Sequence, residues 1–273
     1  GMYYHFDFVG GPVSYRWLNV SPISRTWEQM NLTYEHGVER IWIVNVGDLK
    51  PMEFPIDFFL DHAWNPERMT AERMGEYSKS WAAEQFGDEH AEEIGDMLTR
   101  YTRYNYRRTP EMLTPETYSL HHFREAEIVV DEYNGLAVKA EELEGILPPE
   151  YKDAFYQLVR HPIEACSNLN ELYVTVAKNR LYAEQGRSST NAMAEKAEAL
   201  FRRDAAITEY YHNELSDGKW NQMMSQTHIG YTSWNNPDKN YMPEVKRIEI
   251  PNEALMGAMI QGNDEWWPKS ENP

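Results

Sequence analysis

Residues 40–51 read Arg-Ile-Trp-Ile-Val-Asn-Val-Gly-Asp-Leu-Lys-Pro, and this stretch decides the fold of the first part of the chain. Residues 41–46 are rich in β-branched side chains and too short for a helix, which predicts a strand buried on both faces. Gly47 and the four residues after it continue neither a helix nor a strand. They therefore place polar side chains at the carboxyl end of a strand, where α/β folds carry their chemistry.

A second strand and a helix precede this stretch. Residues 2–9 alternate aromatic with polar side chains and break at Gly10-Gly11-Pro12, which predicts a strand with a polar inward face. Residues 21–37 predict a helix, with Ser21 as the N-cap, Pro22 at its first position and Gly37 at its end. Strand, helix and strand with short connections make a βαβ unit, so we predict that the two strands are parallel.

The polar residues of this unit are the first candidate site. They lie on the inward face of the first strand or just beyond the second: His5, Asp7, Asn45, Asp48, Lys50 and Glu53. Glycoside hydrolysis needs one carboxylic acid to protonate the leaving oxygen and one carboxylate to activate water. We therefore predict Asp48 and Glu53 as the catalytic pair and the other four as substrate-binding residues. In the alternative interpretation, Asp48 caps a turn while Lys50 and Glu53 are solvated.

Helical periodicity dominates the rest of the chain up to about residue 215. Residues 55–64 predict a short helix, residues 70–86 another, and the region from Thr114-Pro115 to about Gly145 a long one. A further helix begins near Pro149, with Pro162 as a kink or break inside it. We predict an antiparallel helical bundle over residues 68–215, after a partial barrel segment over residues 1–67.

The last part of the chain changes in character. Residues 216–242 form a predicted loop segment rich in aromatic and amide side chains, including Trp234, and its composition suits a surface that binds polyols. His228 and Tyr231 in this loop are predicted substrate-binding residues, although a buried structural role for His228 is equally compatible with the sequence. Residues 244–250 alternate as a strand and predict the start of a truncated β-rich domain over residues 243–273.

Composition narrows the class of partner. The net charge of −18, from 44 acidic and 26 basic residues, argues against nucleic acid or an anionic membrane surface. The single cysteine, Cys166, lies in an apolar helical context and predicts a buried thiol. The sequence carries none of the common zinc, phosphate-loop or serine-hydrolase motifs, and the neighbouring His121 and His122 would diverge on a helix. We predict no metal and no cofactor.

Four stretches of the sequence resemble a known family. They are Tyr-Tyr-His-Phe-Asp-Phe-Val-Gly-Gly-Pro at residues 3–12 with Tyr15 and Trp17, Ile-Trp-Ile-Val-Asn-Val-Gly-Asp-Leu-Lys-Pro-Met-Glu at residues 41–53, Phe-Phe-Leu-Asp with Ala-Trp-Asn at residues 58–65, and Gln-Thr-His-Ile-Gly-Tyr at residues 226–231. Together they are similar to the xylan α-1,2-glucuronidases of glycoside hydrolase family 115.

The resemblance implies a fold and a function. The fold would be the C-terminal part of a (β/α)8-type barrel, followed by a helical bundle and the start of a β-rich domain. The function would be removal, with inversion, of glucuronic acid or its 4-O-methyl ether from glucuronoxylan or aldouronic-acid oligosaccharides. The chain would be a fragment of a periplasmic or secreted bacterial enzyme, incomplete and inactive alone, with the bundle as a possible homodimer interface. The alternative is a non-catalytic carbohydrate-binding or dimer-forming helical module.

Overall fold

The structure is a computed structural model, and it describes residues 1–8, 16–232, 237–252, 256–260 and 265–268. The predicted break at Gly10-Gly11-Pro12, Tyr15 of the family-like motif and Trp234 of the predicted loop lie outside these residues. The described part is mostly helical, with one small parallel sheet.

The predicted βαβ unit is confirmed. Strand β1 (Met2–His5) pairs in parallel with β2 (Trp42–Asn45), and the helix between them is α1 (Ile23–Glu35). The register places His5 opposite Asn45, so the polar ends of both strands meet at one edge. Two strands are described; the remainder of a barrel stays a prediction.

Only one face of this sheet is covered by described residues, so the prediction of a strand buried on both faces is wrong for β2. Phe6, Met30 of α1 and Phe59 pack together on the covered face. On the other face Ile43 is 53% exposed. Alternate side chains of a strand point to opposite faces, and α1 and the following helix cover only one of them.

The helix after β2 begins earlier than predicted. Helix α2 (Glu53–Trp64) starts at Glu53, so this residue lies in the first helical turn rather than in a loop. Phe54 and Phe58 of α2 pack edge-on against Trp81 and Tyr77 of the next helix, α3 (Ala71–Phe86). The apolar core is therefore continuous across the predicted boundary near residue 67.

The helices that follow pack around one central element. They are α4 (Ala91–Arg107), α5 (Glu125–Ile146), α6 (Pro149–Phe155), α7 (His161–Glu184) and α8 (Thr190–Asn213). Helix α7 is buried on nearly all sides and packs against α5 and α8. Cys166 of α7 is fully buried, as predicted. The antiparallel arrangement of the bundle stays a prediction. None of the described helices is both long and apolar enough to cross a membrane.

Two predicted helix boundaries differ from the structure for local reasons. The helix predicted from Thr114 begins only at Glu125, because the Ser119 hydroxyl accepts hydrogen bonds from the backbone of His121 and His122 and holds a turn there. The proline at 162 sits in the first turn of α7, directly after a π-helical segment, Tyr156–Arg160. The wider hydrogen-bond spacing of that segment accommodates the predicted irregularity near Pro162.

The strand predicted at residues 244–250 is wrong, although its alternation does mark an extended chain. Among the described residues no strand pairs with it. Instead, the side-chain amide of Asn179 exchanges two hydrogen bonds with the backbone of Lys246, at 2.7 and 2.9 Å. Asn191 does the same with Ile248, at 3.0 Å in both directions. Two helix side chains thus take the place of a strand partner.

The close approach of α3 and α4 gives a stability prediction. A Cβ built on Gly95 would lie 2.8 Å from the backbone nitrogen of Lys79, so Gly95→Ala forces the helices apart. We expect it to lower the free energy of unfolding by about 1–3 kcal/mol. Gly135→Ala on α5 meets nothing within 4 Å and should raise stability by about 0.5–1 kcal/mol. Urea unfolding measures the change in the free energy of unfolding for both variants. Equal changes for the two would contradict the close packing of α3 on α4 at Gly95.

Candidate active site

Asn45 organises the edge where the two strands end. Its side-chain amide donates to the Asp7 carbonyl oxygen at 2.7 Å and lies 3.5 Å from Nδ1 of His5. Its side-chain oxygen accepts from the backbone of Gly47 at 3.1 Å. The structure thus brings together His5, Asp7 and Asn45, as predicted from their positions at the ends of neighbouring strands.

Asp7 is buried at this edge. A Cβ on Gly47 would lie 2.7 Å from Asp7 Oδ2, and Gly47 has a φ of +70°, so both space and backbone conformation require glycine there. Burial raises the pKa of the Asp7 carboxyl, while the positive charge of Arg16 and a hydrogen bond from its backbone oppose the rise. Oδ1 of Asp7 has no hydrogen-bond partner among the described residues.

Asp48 connects the strand end to the loop that follows the bundle. The side-chain amide of Gln226 donates to Asp48 Oδ2 at 2.5 Å, although the two residues are 178 positions apart. The loop containing His228 and Tyr231 is therefore anchored at the strand ends, which is the placement that its predicted role requires.

Lys50 and Glu53 form an ion pair of 2.5 Å that is largely shielded from solvent. Their side chains are 12% and 26% exposed, which contradicts the alternative in which both are solvated. Lys50 also lies 4.2 Å above the ring of Trp220, and Gln157 of the π-helical segment donates to Glu53 Oε1 at 2.8 Å. The second carboxylate oxygen, Oε2, is buried and has no hydrogen-bond partner in the described part of the chain.

His228 is held by the bundle. Its Nδ1 lies 3.1 Å from both carboxylate oxygens of Asp204 on α8, and its ring stacks on Trp17 with a centroid separation of 3.7 Å. Only 3% of the residue is exposed. Nε2 has no partner among the residues described. This geometry suits a histidine that fixes the loop; a contact with substrate stays a prediction.

Tyr231 lies in the same electrostatic environment as the strand-end carboxyl groups. Its hydroxyl donates to the Thr227 carbonyl oxygen at 3.1 Å. Burial raises its pKa, and the charges of Glu111 and Asp7 add to the rise.

Sequence reasoning missed three residues of this site: Arg16, Glu111 and Asp204. The carboxylate of Glu111 accepts from the Trp17 backbone at 3.0 Å and lies 3.7 Å from the Arg16 guanidinium. Burial raises the pKa of Glu111 to about 7, although Arg16 opposes the rise. A lone glutamate between Pro110 and Met112 gave no sequence signal for this role.

The carboxyl groups of the site fall into two sets. Asp7 interacts electrostatically with Asp48, and Glu111 with Asp7, whereas Glu53 pairs with Lys50 beside the bundle. No group of three or more His, Cys, Asp or Glu side chains in the described ranges is arranged to hold a metal ion. The site can therefore offer carboxyl groups for proton transfer, together with a shielded cation and aromatic side chains.

Two comparisons relate the chain to known proteins. Residues 1–112 match the model of glycosyl hydrolase family 115. None of the curated proteins compared with the sequence matches it significantly. Among solved structures, the chain is similar to BtGH115A, a family GH115 4-O-methyl-alpha-glucuronidase with specificity for decorated arabinogalactans, with 25% identity and a TM-score of 0.71.

That structural match covers 94% of this chain and 34% of BtGH115A, so the chain spans about a third of the length of that protein. The family match ends at residue 112, and the structural match extends the likeness over the helices that follow. Both findings make the chain similar to glycosyl hydrolase family 115, by the family model over residues 1–112 and by structure over most of the chain.

Proposed function

We propose that the chain supplies part of the active site of a glycoside hydrolase that removes α-1,2-linked glucuronic acid, or its 4-O-methyl ether, with inversion. The observation that carries the proposal is the collection of carboxylates at the strand ends, with Asp48 fastened by Gln226 to the loop after the bundle. The family match over residues 1–112 supports the same reaction class.

The side chains suit the chemistry of a uronic acid. An inverting enzyme needs a general acid and a general base that are separated by enough space for a water molecule, roughly 6.5–9.5 Å. We assign these roles to Asp48 and Glu53, without deciding which is the acid. We assign attraction of the sugar carboxylate to Lys50, which is shielded and lies over the ring of Trp220, and to Arg16 beside Asp7.

Two main chains are candidates for the polymer that bears the uronic acid. Glucuronoxylan is the substrate that the sequence motifs suggest, whereas the solved relative BtGH115A has specificity for decorated arabinogalactans. We favour glucuronoxylan, and a direct comparison of the two polymers decides between them.

The proposal is tested with the full-length protein of which we propose this chain is a part. We expect that protein to release glucuronic acid from glucuronoxylan, and proton NMR of the first product should show the β-anomer. The 273-residue chain alone should release none from aldouronic acids, because the two strands that the structure describes leave the edges of the proposed barrel segment unpaired. A full-length protein that is inactive on both polymers would overturn the proposal, and release by the chain alone would show that the site is complete.

The role of His228 gives a separate prediction. If its ring contacts the sugar, His228→Ala in the full-length protein should lower kcat or raise KM by roughly tenfold or more, the scale of one lost hydrogen bond. His122→Ala, in the exposed turn before α5, serves as the control. Normal kinetics with a lower Tm would contradict the substrate contact and assign His228 to holding the loop.

A further inference from the structure

A cavity of about 550 Å³ lies at the turn between α7 and α8, where the C-terminal segment folds back onto the bundle. It is lined by the turn residues 185–189, by Ile248, Ile250 and Pro251 of the extended segment, and by Gly257, Ala258, Met259 and Trp266. Cavities of roughly 300–1,000 Å³ are the usual size for small-molecule sites.

Gln185, directly after α7, is the main polar group of this cavity. The residue is only 4% exposed, and neither the nitrogen nor the oxygen of its side-chain amide has a hydrogen-bond partner among the described residues. A buried amide without partners is unfavourable, and native proteins rarely leave both of its ends unpaired. The amide therefore offers a ligand two donors and an acceptor in one plane.

Trp266 supplies a second fixed donor. Its indole Nε1 is buried and, within the described ranges, also lacks a hydrogen-bond partner. The six-membered ring lies so close to Gly257 that a Cβ there would approach Trp266 Cε3 to 2.5 Å. The adjacent Trp267 exchanges backbone hydrogen bonds of 2.8 and 3.1 Å with Ala258. Backbone pairing and the glycine thus hold the indole in place.

The charge of the wall argues for a neutral ligand. Arg187 is the one charged residue among those that line the cavity. Its guanidinium stacks over Tyr182 at 4.4 Å and donates to the sulfur of Met259 at 2.9 Å, so protein groups already hold it. The rest of the wall offers the Gln185 amide, the indole N–H of Trp266, the side chains of Ser188 and Ser189, and apolar surface. Sugar hydroxyls both donate and accept, and the C–H faces of a sugar pack on such apolar surface.

We propose that this cavity binds one or two neutral sugar units of a polysaccharide main chain, as a site separate from the strand-end carboxylates. Helix α7 separates the two, because its 24 residues span roughly 36 Å at 1.5 Å per residue. Gln157, which contacts Glu53, precedes the first turn of that helix, and Gln185 follows its last. The cavity is therefore out of reach of a sugar bound at Glu53.

The test is a ¹⁵N-resolved NMR titration of the 273-residue chain with two neutral probes, xylotetraose and β-1,3-galactotriose, one for each candidate main chain. We expect one of them to shift the indole N–H resonance of Trp266, assigned through Trp266→Phe, with a Kd of roughly millimolar size. Gln185→Leu should weaken that binding at least tenfold. It should still fold, because the amide it replaces has no protein partner in the described part of the chain.

Gln85→Leu, an exposed site on α3, is the matched control and should leave binding unchanged. A resonance that neither probe shifts, or a Gln185→Leu variant that binds as well as the wild type, would overturn the proposal. The measurement needs no turnover, so its outcome is independent of whether the strand-end site is catalytic.

Discussion

Glu53→Gln should lower the kcat of the full-length protein by roughly 10²–10⁴-fold, the range that one general acid or base contributes. Glutamine keeps the size of the side chain and an oxygen that can accept from Gln157, but it cannot transfer a proton. The buried Oε2 of Glu53, which lacks a partner among the described residues, is the oxygen that we expect to face the reaction. Steady-state assays on aldouronic acids measure the change.

The control for Glu53 is Glu76→Gln, an exposed carboxylate on α3 that should leave kcat unchanged. Loss of the Lys50 ion pair is a competing explanation, so the Tm of each variant is measured alongside kcat. A Glu53→Gln enzyme with kcat within about threefold of the wild type would remove Glu53 from the catalytic pair. The smallest loss we expect from a general acid or base is about 100-fold.

Glu111 should make the stability of the chain fall as pH rises. Folding raises the pKa of this carboxyl from 4.5 to about 7 through burial, so between these pH values the folded state holds a proton that the unfolded state releases. The free energy of unfolding therefore decreases from about pH 4.5 to pH 7 and stays lower above it. The size of this effect is on the order of 3 kcal/mol.

Glu111→Gln isolates the effect, because glutamine keeps an oxygen for the Trp17 backbone and carries no titrating group. Urea unfolding at pH 5 and at pH 8 measures the free energy of unfolding of both proteins. The difference between variant and wild type should grow in favour of the variant by on the order of 3 kcal/mol from pH 5 to pH 8. The exposed Glu76→Gln variant should show no such difference. A pH profile for Glu111→Gln that runs parallel to wild type would show that the carboxyl ionises as easily in the folded state as in the unfolded state.

Local pattern was enough to predict the βαβ unit, since alternation, capping residues and short connections all act within a few residues. It also placed His5 and Asn45 at one edge, because parallel pairing follows from the βαβ unit. The sequence pattern did not predict where side-chain hydrogen bonds to the backbone replace a helical turn or a strand pairing. Ser119 delays the start of α5, and Asn179 pairs with an extended segment that has no strand partner among the described residues.

The long-range contacts of the site had no signal in a single sequence. Asp48 meets Gln226 across 178 positions, and Trp17 meets Glu111 across 94. Such pairs form only because α2 and the bundle share a core. The partners can therefore be identified only once the packing of the helices is known. The structure brings His5, Asp7 and Asn45 together and pairs Lys50 with Glu53. The contacts of Arg16, Glu111 and Asp204 emerged only from the packing.

The account is tested most directly by the release of glucuronic acid from glucuronoxylan by the full-length protein that carries both Asp48→Asn and Glu53→Gln. If the two carboxylates are the general acid and base, wild type and Glu76→Gln should release the sugar at equal rates. The double variant should release it at least about 100-fold more slowly than wild type. Its rate should be close to that of the slower single variant, because residues that act as a unit are not additive. Release by the double variant at the wild-type rate would contradict the assignment of the active site to these strand ends.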